Sequence, residues 1–289
     1  MLVETVFDLN IEHGEGPLWD NTTNSLYWVD IFAGDFYKGD PATGVFLKKN
    51  IGQPIGTIAL RQETGIVFAA HEGFGYTSIE ENKPVIFFNN PQTNYPETRF
   101  NDGKVDPLGN FMAGTMTFDG QKPIGQLFQL RSNHTVQCLE NELMLSNGMD
   151  WSANGSQFFF ADTVRQVIYQ YDYNLKTGSI SNRSNFIEFK KDEFPDGFCM
   201  DTAGNFWVAM WGSSKILQFN DQGKRIAAID LPVTYPTSCC FGGADLSTLY
   251  ITTSKIELSE TERIKEPLAG KILKIETNSK GQLMRRYQG

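Results

Sequence analysis

Short apolar runs separated by turn residues pattern the whole chain. Leu26-Tyr27-Trp28-Val29 is one such run, and Phe158-Phe159-Phe160 and Val167-Ile168-Tyr169, bounded by Asn-Gly, Asp-Thr and Thr-Gly pairs, are two more. Runs of this length and aromatic content, with period two and not 3.6, predict buried strands. Helix signals are nearly absent, so the polar stretch from Glu257 to Ala269 is expected to be a surface loop. The runs also recur in phase. Glu15 is followed five positions later by a turn at Asp20 and then by the strand Leu26 to Asp30. The same spacing returns at Asn101 (turn Asp106), Asn147 (turn Ser152) and Asp196 (turn Asp201), with weaker copies at Gly56 (turn Arg61) and Ser238 (turn Gly243). Six copies spaced by about 41 to 49 residues fall in the range of propeller blades. The expectation is an all-β, six-bladed β-propeller over residues 1–289, as a single domain.

A ring of blades must close, because an open sheet edge invites pairing with another chain. Val3 to Leu9 reads as a strand with no neighbour in sequence, so it is expected to join the C-terminal blade and close the ring. In that blade Thr248 to Thr253, Lys271 to Ile275 and Gln282 to Tyr287 are the expected outer strands. Hairpins are expected at Asp35–Gly44, Val164–Gly178 and Ser214–Gly223. The interruption from Thr117 to Gly125 could cover one mouth of the ring.

Composition narrows the partners. The formal net charge is -9, from 34 acidic and 25 basic residues. A polyanion is repelled on average, so nucleic acid is not an expected partner. No apolar run approaches the ~18 residues of a membrane span. The N-terminal residues lack a basic start followed by an apolar core, so no signal peptide is expected. Cys138, Cys199, Cys239 and Cys240 have no zinc-ligand spacing and read as reduced thiols, so a cytoplasmic protein is expected, as a monomer or weak dimer.

The candidate chemistry lies in the repeat itself. Equivalent positions of different blades face one axis at about one height, so Glu15, Gly56, Asn101, Asn147, Asp196 and Ser238 should converge at one end of the central channel. Two carboxylates and two carboxamides make a set of hard oxygen donors, suited to Ca²⁺, Mg²⁺ or Mn²⁺, with Zn²⁺ also compatible. Asn147-Gly148 and Asp196-Gly197 are ordinary turn pairs when taken singly; their joint phasing favours a metal-binding ring. Gly56 and Ser238 leave that ring incomplete, as a catalytic metal needs. Arg99, two residues before Asn101, points to the same mouth if the stretch is extended, either to hold a ligand's oxygens or to make a salt bridge. Of the three histidines, His71 and His134 are out of phase and His13 reads as a packing residue. Neither a nucleophile elbow nor a nucleotide-binding loop is present.

These residues resemble a known family. Gly14-Glu15-Gly16-Pro17-Leu18-Trp19, Arg99-Phe100-Asn101-Asp102-Gly103-Lys104, Ser146-Asn147-Gly148-Met149-Asp150-Trp151 and Pro195-Asp196-Gly197 are similar to motifs of the regucalcin (senescence marker protein)/gluconolactonase family. Val105-Asp106-Pro107, Ala113-Gly114-Thr115-Met116 and Thr237-Ser238-Cys239-Cys240-Phe241-Gly242-Gly243 extend the match from about residue 11 to 275. The resemblance implies a six-bladed propeller holding one divalent metal ion through Glu15, Asn147 and Asp196. It also implies Arg99 and Asn101 as binders of the substrate's hydroxyls. Asp119 stands where the mammalian regucalcins have a substrate-contacting Glu, and the Gln121–Gln126 loop differs too. The implied activity is metal-dependent hydrolysis of a sugar lactone (an aldonolactone) to its acid, with Asp196 also taking the attacking water's proton. Two other readings of the family are a non-catalytic calcium-binding regulator and a luciferin-regenerating enzyme.

Overall fold

The computed structural model describes residues 2–80 and 83–289. Among them, six four-stranded antiparallel sheets follow one another along the chain. Their innermost strands are Gly14–Asp20, Ile55–Leu60, Thr98–Val105, Ser146–Trp151, Phe194–Met200 and Pro236–Gly242. Each innermost strand packs on those of both neighbouring blades, and the sixth returns to the first. The molecule is a six-bladed β-propeller.

The local chemistry of the turns explains why the repeat folds this way. After the innermost strand of blade 3, Asp106 Oδ1 accepts the backbone N–H groups of Leu108 and Asn110. In blade 5, Asp201 Oδ1 does the same for Ala203 and Asn205. An aspartate that caps its own turn is the phased signal seen in the sequence. The apolar faces of the strands then meet between blades: six buried clusters occur, one at each blade–blade junction. Glycine marks the tightest approach. A Cβ on Gly56 would lie 2.5 Å from the carbonyl of Phe100 on the next blade, which explains why that copy of the repeat carries no side chain.

Closure involves both chain ends. Glu4–Thr5 is the outermost strand of the sixth sheet, pairing antiparallel with Leu273–Glu276. It is shorter than the expected Val3–Leu9 strand, because Phe7 leaves the sheet to stack on Trp28 of blade 1, with ring centroids 4.9 Å apart. The expectation for Gln282–Tyr287 is corrected. This segment adds no strand to the sixth sheet and instead crosses the face of the ring opposite the candidate site. Gln282 Nε2 donates to the Trp151 carbonyl, Arg286 reaches Asp20, and Tyr287 pairs through its backbone with Leu60 and Gln62. The buried Tyr287 ring also rules out an edge position for this segment. The Glu257–Ala269 loop is likewise corrected in part, since it contains the helix Glu260–Lys265. Its signal was the capping box Ser259-x-x-Glu262, in which each side chain bonds the other residue's backbone N–H. Among the described residues, no helix is long and apolar enough to cross a membrane.

Candidate functional site

All six innermost strands carry a register irregularity at the same level: between Glu15 and Leu18, Ile55 and Thr57, Phe100 and Gly103, Ser146 and Met149, Pro195 and Phe198, and Pro236 and Ser238. A bulge re-aims the side chain beside it and stops regular pairing. Here it falls at the phased position of every blade and turns Glu15, Asn101, Asn147 and Asp196 toward one cavity, whereas the expected convergence of Gly56 and Ser238 is corrected: neither lines it. Glu15, Arg99, Asn101, Asp119, Asn147 and Asp196 all line one cavity of about 440 Å³ at this end of the channel.

Five of the six are buried, and their hydrogen bonds separate their roles. Asn101 is engaged at both ends: its Oδ1 accepts from Arg99 Nη1 at 2.7 Å, and its Nδ2 donates to the Ser146 carbonyl at 2.9 Å. It therefore bridges blades 3 and 4 and holds Arg99. Asn147 differs. Its Nδ2 donates to Thr163 Oγ1 at 3.1 Å, which leaves Oδ1 buried without a partner. Asp196 Oδ1 is likewise buried and unpartnered, and Glu15 Oε2 accepts from Gly16 N. Buried polar atoms are nearly always satisfied, so two such oxygens beside the Glu15 carboxyl are open to a further partner. Asp119 lies at the cavity's rim, and its Oδ1 accepts from Thr117 Oγ1 and Gln121 N, which shapes its own loop.

The electrostatics point the same way. Burial, reinforced by the negative charges of Asp196 and Asp102, pushes the Glu15 carboxyl well above its ordinary range. Burial and the Asp102 charge do the same to Asp196. Two buried carboxyls that resist ionisation side by side suit a cation, which would take the place of the retained proton. Hard oxygens from Glu15, Asn147 and Asp196 thus fit a divalent ion. Arg99 is lowered to about 10 by burial, against the attraction of Glu15 and Asp196, and stays charged at neutral pH. Its Nε is buried without a partner. His13 is lowered to about 3, by burial and then by Arg99, so its imidazole is neutral; it packs between Phe32 and Trp211, as its sequence position suggested.

Sequence reasoning missed two residues. Thr163 Oγ1 donates to the Pro195 carbonyl at 2.7 Å while accepting from Asn147, and so fixes which way that carboxamide faces. Asp102, deeper in the channel, is raised to about 6 by burial, against the N–H of Gly103 and the charge of Lys104. Asp102 was visible inside the Asn101–Lys104 motif, but Thr163, on a different turn, carried no phase signal.

Comparison with known proteins gives a consistent picture. Residues 13–255 match the family model described as the SMP-30/gluconolactonase/LRE-like region. Regucalcin of Danio rerio is 37% identical over 277 residues, covering 94% of this chain and 93% of the relative. The structure of a luciferin-regenerating enzyme superposes with a TM-score of 0.91 at 26% identity, over 100% of this chain and 99% of that one. That of a calcium-binding protein, regucalcin, from Agrobacterium tumefaciens superposes with a TM-score of 0.94 at 21% identity, over 99% and 97%. With both the motif-bearing span and nearly the full length matched, this chain belongs to the SMP-30/gluconolactonase/LRE-like family.

Proposed function

We propose that this chain is a divalent-metal-dependent lactonase that hydrolyses aldonolactones to aldonic acids. The observation that carries the reading is the pair of unpartnered buried oxygens, Asn147 Oδ1 and Asp196 Oδ1, on two residues that line the same cavity as Arg99. Glu15, Asn147 and Asp196 would hold the cation, which when bound would polarise the lactone carbonyl and stabilise negative charge on its oxygen. Arg99, held in place by Asn101, orients hydroxyl or carbonyl oxygens of the substrate through its guanidinium. Asp119 adds an acceptor at the rim. A carboxylate has two oxygens, so Asp196 can hold the cation with one and use the other as base. It accepts a proton from the attacking water as the water oxygen bonds the acyl carbon. The acyl–oxygen bond of the ring then breaks, and that proton passes to the departing ring oxygen, giving the open hydroxy acid.

The test is a panel of δ-gluconolactone and related lactones with Mn²⁺, Zn²⁺, Mg²⁺ and Ca²⁺, run on the wild type and on Asp196→Asn. Metal-dependent turnover that falls by at least about 100-fold in the variant is expected. Near-normal turnover in Asp196→Asn removes that residue from the chemistry. Absence of turnover with every pair, alongside tight cation binding, favours a non-catalytic calcium-binding role.

A further inference from the structure

The upper half of the cavity is built differently from its floor. Phe32, Phe118, Val164 and Phe194 line it and are 44%, 44%, 40% and 37% exposed. They come from blades 1, 3, 4 and 5, and Phe32 and Val164 occupy turns, where small polar residues are usual. Single exposed apolar side chains are ordinary, whereas four gathered round one mouth mark a binding surface. Phe32 also lies over the Arg99 guanidinium, 5.3 Å from its ring centroid, so the apolar wall runs directly into the polar floor.

Several of the polar side chains at this level are already engaged. His13 Nδ1 and Ser254 Oγ are 2.9 Å apart, and the imidazole is flanked by Phe32 and Trp211. Thr163 is held by Pro195 and Asn147, while Asp119 and Gln121 bond each other. A ligand hydroxyl set against the wall formed by Phe32, Phe118, Val164 and Phe194 finds no acceptor or donor on those side chains and would give up its water without replacement. Alkyl or aryl carbon would instead gain from leaving water. Glu257 lines the same cavity, and its carboxylate disfavours an anionic group.

We propose that the site also takes lactones whose ring carries a neutral apolar substituent, with the ring on the Arg99 floor and the substituent against Phe32, Phe118 and Phe194. This second substrate class rests on the lactonase reading and deepens it. Each fully buried methylene lowers KM by about fourfold, so the hexyl chain of γ-decalactone, partly buried in an open mouth, should lower KM by at least about tenfold relative to γ-butyrolactone.

The experiment measures kcat/KM for these two lactones on the metal-loaded protein and on Phe118→Ala/Phe194→Ala. In parallel, calorimetry measures binding of 2-pyrrolidinone and 5-hexyl-2-pyrrolidinone, lactam analogues that resist hydrolysis. A hexyl preference of about tenfold or more that shrinks by about tenfold in the variant supports the proposal. Should the double variant fail to fold, Phe118→Ala alone must shrink the preference at least twofold. Equal kcat/KM for both lactones, or a hexyl preference untouched by the substitutions, overturns it. If no lactone is hydrolysed, the lactonase reading fails and the lactams decide: tighter binding of the hexyl compound supports the apolar subsite, and equal binding overturns it.

Discussion

Thr163→Val is the most informative single substitution, because it removes one hydroxyl that no substrate need touch. That hydroxyl donates to the Pro195 carbonyl and accepts from Asn147 Nδ2, at 2.7 and 3.1 Å. Valine fills the same volume, so the packing of blades 4 and 5 is kept while two buried polar groups lose their partner. A buried unsatisfied group costs about 1–3 kcal/mol. For a chain of 289 residues, unfolding entropy near the midpoint is roughly 0.6 kcal/mol per kelvin, so losing two such partners should lower the metal-free melting temperature by about 3–10 °C. The second effect is larger in relative terms. Without Thr163 the Asn147 carboxamide is free to rotate, and loss of a side chain that orients a ligand costs about 10–100-fold in metal affinity. Differential scanning calorimetry reads the first effect, and titration calorimetry with CaCl₂ and MnCl₂ reads the second. Thr163→Ser, which keeps the hydroxyl, should restore affinity. A lowered melting temperature with cation affinity unchanged within twofold would refute the argument that Thr163 aims Asn147 at the ion.

Two further outcomes follow from the channel and from the chain's end. The Asp102 carboxyl is raised to about 6, so the folded protein keeps a proton that the unfolded chain releases near pH 4. Its contribution to stability is therefore most favourable below pH 4 and is lost as pH rises to 6 and beyond, by up to about 3 kcal/mol. In a metal-free scan, Asp102→Asn should match the wild type near pH 4 and melt higher at pH 7.5; equal melting at both pH values would contradict the burial argument. Tyr287 is fully buried and its hydroxyl donates to the Arg131 carbonyl at 2.7 Å. Tyr287→Ala should cost about 3–5 kcal/mol, or about 5–8 °C in melting temperature, and a drop below 1 °C would show that the tail does not tie the blades together.

Much of the architecture was written in one dimension. A propeller repeats one unit about an axis, so the phase of Asp20, Asp106 and Asp201 along the chain becomes the angular order of the blades, and the residue five places earlier becomes a position on the channel wall. The same phase brought Glu15, Asn101, Asn147 and Asp196 to one cavity. Short apolar runs sufficed for the inner strands, because those are buried between blades, while outermost strands such as Val45–Asn50 and Ile180–Glu188 are largely exposed.

Phase alone does not distinguish a ligand from a brace. Asn101 and Asn147 hold equivalent places in the repeat, yet Asn101 spends both ends of its carboxamide on Arg99 and Ser146, while Asn147 keeps an oxygen free. That difference depends on which neighbour lies across the blade junction, information spread over residues far apart in the chain. The path of Gln282–Tyr287 was decided in the same way. Its place after Lys271–Ile275 suggested a further outer strand, but the sixth sheet's outer edge is taken by Glu4–Thr5, and the buried place for Tyr287 lies across the ring. The sequence by itself determined the repeat, the fold and the level of the site, since these follow from local periodicity. Which oxygens remain free, which turn supports them and what surrounds the mouth were decided only when the ring closed, because each depends on contacts between blades.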